Sequence, residues 1–310
     1  MITHDRDITD FLRYIETERR LSANTVAAYR NDLSQWADYA TDGGTHPLCA
    51  DTTSVNDLRL WISTLARNKV TQRSIRRKVQ SLRAFFHFMM LRRGLKSNPA
   101  SELQLARLPK ALPVYVTTAE MNAIIDSPLS PDDITEVRDR LIVAMLYATG
   151  IRCSELTGLT DANVDTSTGE LKVLGKRNKE RIVPFGRELS DMIENYRRLK
   201  TEAGIAGISP TLFTRPDGEA LSRNAVYGIV HRSLSEGGAH ATRLSPHVLR
   251  HSFASDMLNG GAPLNAVQRL LGHQSLQTTE IYTHLTYSEL LNNYQSAHPR
   301  AQKTREEHGN

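Results

Sequence analysis

Four side chains in the C-terminal third of the chain have the residue types and the spacing for chemistry on phosphorus. His247 and Arg250 are three residues apart, so on a helix they would lie on one face. His273 follows in a Leu-Gly-His sequence, and Tyr282 follows in Ile-Tyr-Thr-His. A planar guanidinium suits a phosphate oxygen, an imidazole can hydrogen-bond or move a proton, and a phenol can attack phosphorus. Together they predict a site for phosphoryl transfer.

Two more basic residues could belong to this site. Arg152 follows a Thr-Gly-Ile sequence in which a predicted apolar helix ends at the glycine. An arginine between apolar segments needs an anion, which could be a phosphate or Glu155, and this feature alone leaves both open. Lys176 lies between two β-type runs that predict a hairpin, residues 171–174 and 181–185. From the tip it could reach a neighbouring site, although a lysine in a turn is usually solvated.

The elements that must position these residues fall into two groups. Apolar residues at helical spacing predict four helices in the first hundred residues, enough for one small core. That core accounts for the aromatic residues better than base stacking does: Trp36, Trp61, Phe85 and Phe86. Three prolines then interrupt the helical pattern and indicate a linker. We predict a helical domain at residues 1–97, a linker at 98–117, a second domain at 118–296 and a polar, loose tail at 297–310.

The charge distribution indicates which part of the chain meets a polyanion. The 310 residues are 39% apolar and 24% charged, a globular composition that argues against disordered or fibrous proteins. Residues 1–110 hold 18 Lys and Arg against 11 Asp and Glu, whereas the remainder is slightly acidic. Residues 67–96 are basic with no acidic residue, which favours a nucleic-acid backbone over a solvated helix face. Within them we predict five DNA contacts: Arg73, Arg76, Arg77, Lys78 and Arg83.

Sequence signals for membranes and disulfides are weak. The first residues lack the apolar core of a signal peptide, and the longest apolar run, residues 141–148, is too short to cross a bilayer. Cys49 and Cys153 match no metal-binding or redox spacing. We therefore expect a cytoplasmic protein that does not associate with membranes.

Taken together, these motifs resemble the catalytic signature of the tyrosine recombinases, also called the phage integrase family. The signature positions are Arg152, Lys176, His247, Arg250, His273 and Tyr282. The short sequence motifs around these positions match as well, and the resemblance runs from about Ile8 to Tyr294. It is strongest to the Xer branch, which resolves chromosome dimers. Arg177 departs from the glycine that many Xer proteins carry.

The resemblance implies a fold and an assembly. The fold would be mainly α-helical with a small antiparallel β-hairpin or sheet in the C-terminal domain. A SAM-like helical core-binding domain and a tyrosine recombinase catalytic domain would form a clamp around duplex DNA. Four protomers would act on two recombination sites, alone or with a second Xer-type recombinase, with a septal DNA translocase as activating partner. The helix near residues 285–294 would dock on a neighbouring protomer.

It also implies a role for each signature residue. Tyr282 would attack the scissile phosphate, forming a 3′-phosphotyrosine and releasing a 5′-hydroxyl. Arg152 and Arg250 would hold the non-bridging oxygens. The other three would handle protons and hydrogen bonds: Lys176 as acid for the 5′-oxygen, His247 at the tyrosine and His273 at the phosphate. Since the covalent intermediate keeps the phosphodiester energy, we expect no ATP, metal or other cofactor.

The same residues allow four other interpretations. His247 and His251 have the spacing of a zinc-binding helix, but Arg250 between them would oppose a cation. A type IB topoisomerase shares the chemistry, and the compact basic N-terminal domain disfavours it. A non-catalytic DNA-binding relative would commonly have lost one of the six signature positions. An integrase or invertase of a mobile element has the same chemistry and stays open.

Overall fold

The computed structural model describes residues 6–105, 115–175, 180–241, 244–272 and 287–301. The chain divides into two compact units, Met1–Lys110 and Ala111–Asn310, and each contains its own apolar core. The finer bounds that we gave for domains, linker and tail stay predictions. Within the described ranges, no helix is both long and apolar enough to cross a membrane.

The N-terminal unit is built from four helices: α1 (Arg6–Thr17), α2 (Ala23–Ala40), α3 (Val55–Arg67) and α4 (Gln72–Arg93). The last three begin at hydroxyl residues whose side chains accept a backbone N–H of the first turn: Ser22, Ser54 and Thr71. A short 3₁₀ turn, Pro99–Glu102, packs against α3 and α4. Capping and the glycine that ends α4, Gly94, thus define these helices locally.

Aromatic rings fill the centre of this unit. Trp36, Phe85 and Phe86 are at most 1% exposed, and Trp61 is 2% exposed. The ring centres of Trp36 and Phe86 are 5.4 Å apart in an edge-to-face arrangement. The prediction that these rings belong to the core is therefore confirmed.

The second unit surrounds helix α6. Its helices are α5 (Thr118–Ile125), α6 (Ile134–Thr149), α7 (Cys153–Thr157), α8 (Arg187–Glu202), α9 (Arg223–Glu236), α10 (Pro246–Asn259), α11 (Leu264–Leu271) and α12 (Tyr287–Ala297). Helix α6 packs against α8, α9 and α10, and its predicted apolar face is fully buried: Leu141, Ile142, Met145 and Leu146. Because α6 is enclosed, its C-terminal end is a fixed point for the residues that follow.

A three-stranded antiparallel sheet completes the unit. Its strands are β1 (Val164–Asp165), β2 (Glu170–Leu174) and β3 (Glu180–Pro184), in the order β1-β2-β3. Leu171 is paired with Val183 and Val173 with Arg181, so these four side chains share the inward face. The predicted hairpin and the fold class, mainly α with a small antiparallel sheet, are confirmed.

The C-terminal end differs from the prediction of a loose tail beginning at residue 297. His298 is fully buried and Arg300 is 5% exposed. The His298 ring stacks on Tyr294, with ring centres 5.3 Å apart, while Arg300 forms ion pairs with Asp126 and Glu188. His298 and Arg300 are polar but find partners inside their own unit, so the prediction that the loose tail begins at residue 297 was wrong for them.

Candidate active site and nucleic-acid interface

The turn after α6 delivers Arg152. Helix α6 ends at Thr149, and Gly150 adopts the left-handed conformation with φ of 61°. A Cβ at Gly150 would lie 2.4 Å from the Phe253 ring, so the tight packing and the backbone both require glycine. Two residues later Arg152 is the N-cap residue of α7, and its backbone N–H donates to Glu155 Oε2 at 2.7 Å.

The side chain of Arg152 has partners and is also partly open. Its Nη1 donates to Glu155 Oε1 at 2.8 Å, and its Nη2 donates to the Gly272 carbonyl at 3.2 Å. The side chain is nevertheless 30% exposed. The sequence left a choice between a salt bridge to Glu155 and a bound anion. The salt bridge exists, and the exposed part of the guanidinium remains accessible to an anion.

Arg250 is held by the ends of two helices. It lies in the second turn of α10, is 7% exposed, and donates to the carbonyls of Gly150 and Leu271, each at 2.6 Å. These carbonyls lie where α6 and α11 end, and such groups lack helical partners and carry partial negative charge. His247, three residues earlier on α10, is exposed. The helix therefore presents the imidazole outward and turns the guanidinium toward the helix ends.

Arg181 is a member of the site to which our sequence reasoning gave no role. Its Nη1 and Nη2 donate to the two oxygens of Glu155 at 2.9 and 2.8 Å, and its Nε donates to the Leu270 carbonyl at 2.8 Å. A sequence signal existed: alternation along β3 places Arg181 opposite Val173 on the inward face, where an apolar residue is expected. An inward arginine needs a carboxylate or carbonyl groups as partners.

The end of α11 gathers all three guanidinium groups. Three successive carbonyls, those of residues 270, 271 and 272, each accept a hydrogen bond from a different arginine. We call this set the arginine cluster: Arg152, Arg181 and Arg250 with Glu155. Gly272 is left-handed with φ of 65°, and a Cβ there would lie 3.2 Å from the Arg181 guanidinium. The next residue in the chain is His273.

The electrostatics of the cluster favour an anion. Burial disfavours the charged form of Glu155, but hydrogen bonds from Arg181 and Arg152 outweigh it and lower the Glu155 pKa to about 2. Burial and the neighbouring charge of Arg152 lower the pKa of Arg250 to about 10, so Arg250 stays protonated at neutral pH. Three guanidinium groups and one carboxylate carry a formal charge of +2. A bound anion would relieve this crowding of like charges.

The other three signature residues lie outside the described residues: Lys176, His273 and Tyr282. Their roles stay predictions. The described neighbours give anchor points for two of them. Leu174 and Glu180 are paired across the hairpin whose tip contains Lys176, and Gly272 of α11 precedes His273.

In the N-terminal unit, two of the predicted DNA contacts surround a buried carboxylate. Lys78 is 4% exposed, and its ammonium donates to Asp32 at 3.1 Å and to Gln35 at 2.7 Å. Arg77 forms an ion pair with the same Asp32, although its side chain is 43% exposed. This geometry removes Lys78 from the surface and disfavours its predicted contact with DNA, while Arg77 keeps an accessible side.

The remaining three differ in accessibility. Arg83 donates from Nε to the Ala100 carbonyl at 3.1 Å and from Nη2 to the Leu103 carbonyl at 2.8 Å, so it fastens the chain after α4 to that helix. Arg76 is half-buried, and Arg73 in the first turn of α4 is exposed. Basic density along the sequence therefore overstated how many of these side chains face outward.

Sequence profiles identify the family. The Phage integrase family profile matches residues 115–289, and the profile of the phage integrase N-terminal SAM-like domain matches residues 8–93. The chain therefore belongs to the phage integrase family, the tyrosine recombinases, which cleave and rejoin DNA strands.

Individual relatives show which members of the family this chain resembles. The chain is 35% identical over 308 residues to tyrosine recombinase XerC of Syntrophus aciditrophicus, covering 96% of this chain and 98% of that protein. It is 36% identical over 295 residues to tyrosine recombinase XerD of Yersinia pestis, covering 95% and 97%. The Tn1549 transposon integrase, solved in complex with transposon right end DNA, has the same fold, with a TM-score of 0.73 at 19% identity, covering 97% and 99%. These relatives support site-specific DNA recombination.

Proposed function

We propose that this chain is a Xer-type site-specific recombinase that cuts and rejoins duplex DNA through a 3′-phosphotyrosine at Tyr282 and resolves chromosome dimers. The observation that carries the chemistry is the arginine cluster, whose formal charge of +2 is fixed at the end of α11 immediately before His273. The Xer setting is supported by relatives named XerC and XerD at 35% and 36% identity over nearly the whole chain.

The arginine cluster suits the transition state of this reaction. A phosphodiester carries one negative charge, and attack by tyrosine concentrates further charge on the non-bridging oxygens. Arg152 and Arg250 would offset that charge from positions fixed before the substrate arrives, which is the main requirement of phosphoryl transfer. The same two side chains would offset the charge again when the strand is rejoined.

The remaining proposed steps move protons. The Tyr282 oxygen forms a bond to phosphorus while the bond from phosphorus to the 5′-oxygen breaks. The phenol loses its proton to His247, which α10 presents on the surface, and Lys176 gives a proton to the departing 5′-oxygen. His273 donates a hydrogen bond to the phosphate. Attack by the 5′-hydroxyl of the partner strand reverses these steps, and neither ATP nor a metal ion is consumed.

The assembly follows from the reaction. Two duplexes, each cut on both strands, require four active tyrosines and therefore four protomers, which we propose are copies of this chain alone or with a second Xer-type recombinase. The complex of the Tn1549 integrase with transposon right end DNA supports DNA as the substrate. Helix α12 packs in its own unit through Leu290 and Tyr294, so the proposed docking on a neighbour requires its release. A septal DNA translocase is the proposed activator.

The chemistry is tested with a nicked suicide substrate made from the recombination site of the host's replication terminus. Wild-type protein in EDTA should yield a covalent protein–DNA band on a denaturing gel, and Tyr282→Phe should yield none. A wild-type protein that shifts this DNA on a native gel but forms no covalent band, even with the host's second recombinase present, would contradict the proposal.

The cellular role has its own test. A plasmid with two directly repeated terminus sites should be resolved into two circles in wild-type cells and not in cells that lack this protein. Loss of the gene should also increase chromosome dimers at division. If the protein leaves the terminus sites intact but recombines the ends of a mobile element, it is an integrase or invertase with the same chemistry.

A further inference from the structure

Arg181 is the part of the arginine cluster that the six signature positions do not include. We propose that Arg181 is a positioning residue of DNA cleavage: it joins Glu155 to the end of α11 and thereby fixes Arg152 in the orientation that receives the phosphate. This inference rests on the proposed function of the same site.

The hydrogen bonds of Arg181 show why it acts through other residues. Its Nε, Nη1 and Nη2 atoms all donate to protein oxygens, and its side chain is only 14% exposed. An anion would therefore meet Arg152, which is 30% exposed, before it met Arg181. The contribution of Arg181 is the position and charge balance of its neighbours.

Glu155 is the residue through which the effect passes. Its Oε1 accepts from the guanidinium groups of both Arg181 and Arg152, and its Oε2 accepts from Arg181 and from the Arg152 backbone N–H. Without Arg181, the carboxylate would be free to bind Arg152 with both oxygens, the arrangement that guanidinium and carboxylate prefer. Arg152 would then be drawn toward Glu155 and away from the phosphate. The formal charge of the cluster would also fall from +2 to +1.

The surroundings of Arg181 select arginine rather than lysine. Its flat guanidinium lies against Gly272, where a Cβ would approach it to 3.2 Å. This planar group donates three hydrogen bonds, two to Glu155 and one to the Leu270 carbonyl. A lysine has one ammonium and could not bind both carboxylate oxygens and the Leu270 carbonyl in the same geometry. The same side chain connects β3, in the hairpin that contains Lys176, to α11, which precedes His273.

The test measures the chemical step separately from DNA binding. Arg181→Gln and Arg181→Lys are compared with wild type for the rate of covalent-complex formation on the suicide substrate, at protein concentrations that saturate the DNA. The matched control is Arg197→Gln, because Arg197 also donates to carboxylates, those of Asp161 and Glu194, and to two backbone carbonyls in the same unit. We expect cleavage to fall roughly 100-fold for glutamine and at least about tenfold for lysine, with DNA affinity within about twofold of wild type and the control unchanged.

A substrate with a neutral methylphosphonate at the scissile position separates positioning from a general loss of structure. Removing one non-bridging charge lowers the demand on Arg152, so the deficit of Arg181→Gln relative to wild type should shrink at least about fivefold. Variants that cleave at the wild-type rate would overturn the proposal. So would a deficit that is equal on both substrates, or one matched by an equal loss of DNA affinity.

Two controls keep the result interpretable. Thermal unfolding identifies a variant that does not fold, and Arg181→Lys, which keeps the charge, then decides the question alone. A wild-type protein that forms no Tyr282-dependent covalent product would contradict the proposed function itself, and it would be seen before any Arg181 variant is compared.

Discussion

Among the described residues, each unit contains a buried carboxylate that is bound by basic side chains, and the two arrangements are built differently. In the N-terminal unit Asp32 is 1% exposed and binds Arg77, Lys78 and Ser81. In the second unit the Glu155 side chain is 4% exposed and binds Arg152 and Arg181. Both would be described as a buried acid with two cations, but their basic partners come from different places.

The partners of Asp32 all lie on α4, whereas Asp32 itself lies on α2. This arrangement joins two helices, and one of its cations, Lys78, is fully enclosed. The arginine cluster draws its members from the start of α7, from β3 and from α10, and fastens them to backbone carbonyls at helix ends. Carbonyl groups hold a guanidinium without cancelling its full charge. The first arrangement therefore joins two helices, and the second concentrates positive charge where the proposed function needs a phosphate.

The largest effect on stability is expected in the Asp32 arrangement. Asp32→Ala leaves the ammonium of Lys78 buried without a carboxylate, which should lower the free energy of unfolding of this unit by about 3–5 kcal/mol. Urea unfolding followed by tryptophan fluorescence measures it, because Trp36 and Trp61 both lie in this unit. Adding Lys78→Met should recover much of the loss. A change below about 1 kcal/mol would mean that water already solvates Lys78.

Arg250→Ala should act mainly on the cleavage rate and not on stability. Because the proposed function places Arg250 at the phosphate of the transition state, removing its charge should slow covalent-complex formation by about 100- to 1000-fold. Arg138→Ala is the control, because Arg138 is also 7% exposed and bonds a carboxylate and a carbonyl in the same unit. If both variants lose activity in proportion to their loss of stability, the cluster is a packing device like that of Asp32.

These two regions also show what could be predicted from the sequence. The glycine that ends α6, the hairpin and the chemical types at positions 152, 247 and 250 were readable, because each depends on local spacing. The roles of Lys78 and Arg83 were not, since their partners lie in residues 32–35 and 100–103, and only folding brings these together. Arg181 is intermediate: strand alternation marks it as an inward charge, but the carbonyls of α11 that hold it are distant in sequence.

The next effect in size concerns how the free energy of unfolding depends on pH in the acid range, where Glu155 of the arginine cluster becomes protonated. The pKa of Glu155 is lowered from 4.5 to about 2, so its contribution is fully present above about pH 4.5 and is lost as the pH falls toward 2. The difference corresponds to about 3 kcal/mol. Urea unfolding followed by circular dichroism at pH 7 and pH 3 should show a smaller pH dependence for Glu155→Gln than for wild type. Exposed Glu202→Gln is the control, and equal pH dependence in all three proteins would contradict the assignment.

The smallest effect concerns the predicted DNA contacts along α4, whose side chains should differ in how much each contributes to the salt dependence of DNA binding. Each phosphate contact contributes about 1 to the slope of log affinity against log salt. Arg73→Ala and Arg77→Ala should therefore each flatten the slope by about 1, since both side chains are exposed. Arg83→Ala should leave the slope unchanged, because its guanidinium is bonded to the carbonyls of Ala100 and Leu103. Fluorescence anisotropy with labelled duplex over a range of salt concentrations measures all three slopes.

A flatter slope for Arg83→Ala alone would show that Arg83 leaves those carbonyls for phosphate when DNA binds. The density of basic residues in the sequence would then predict DNA contacts better than the exposure of each side chain does.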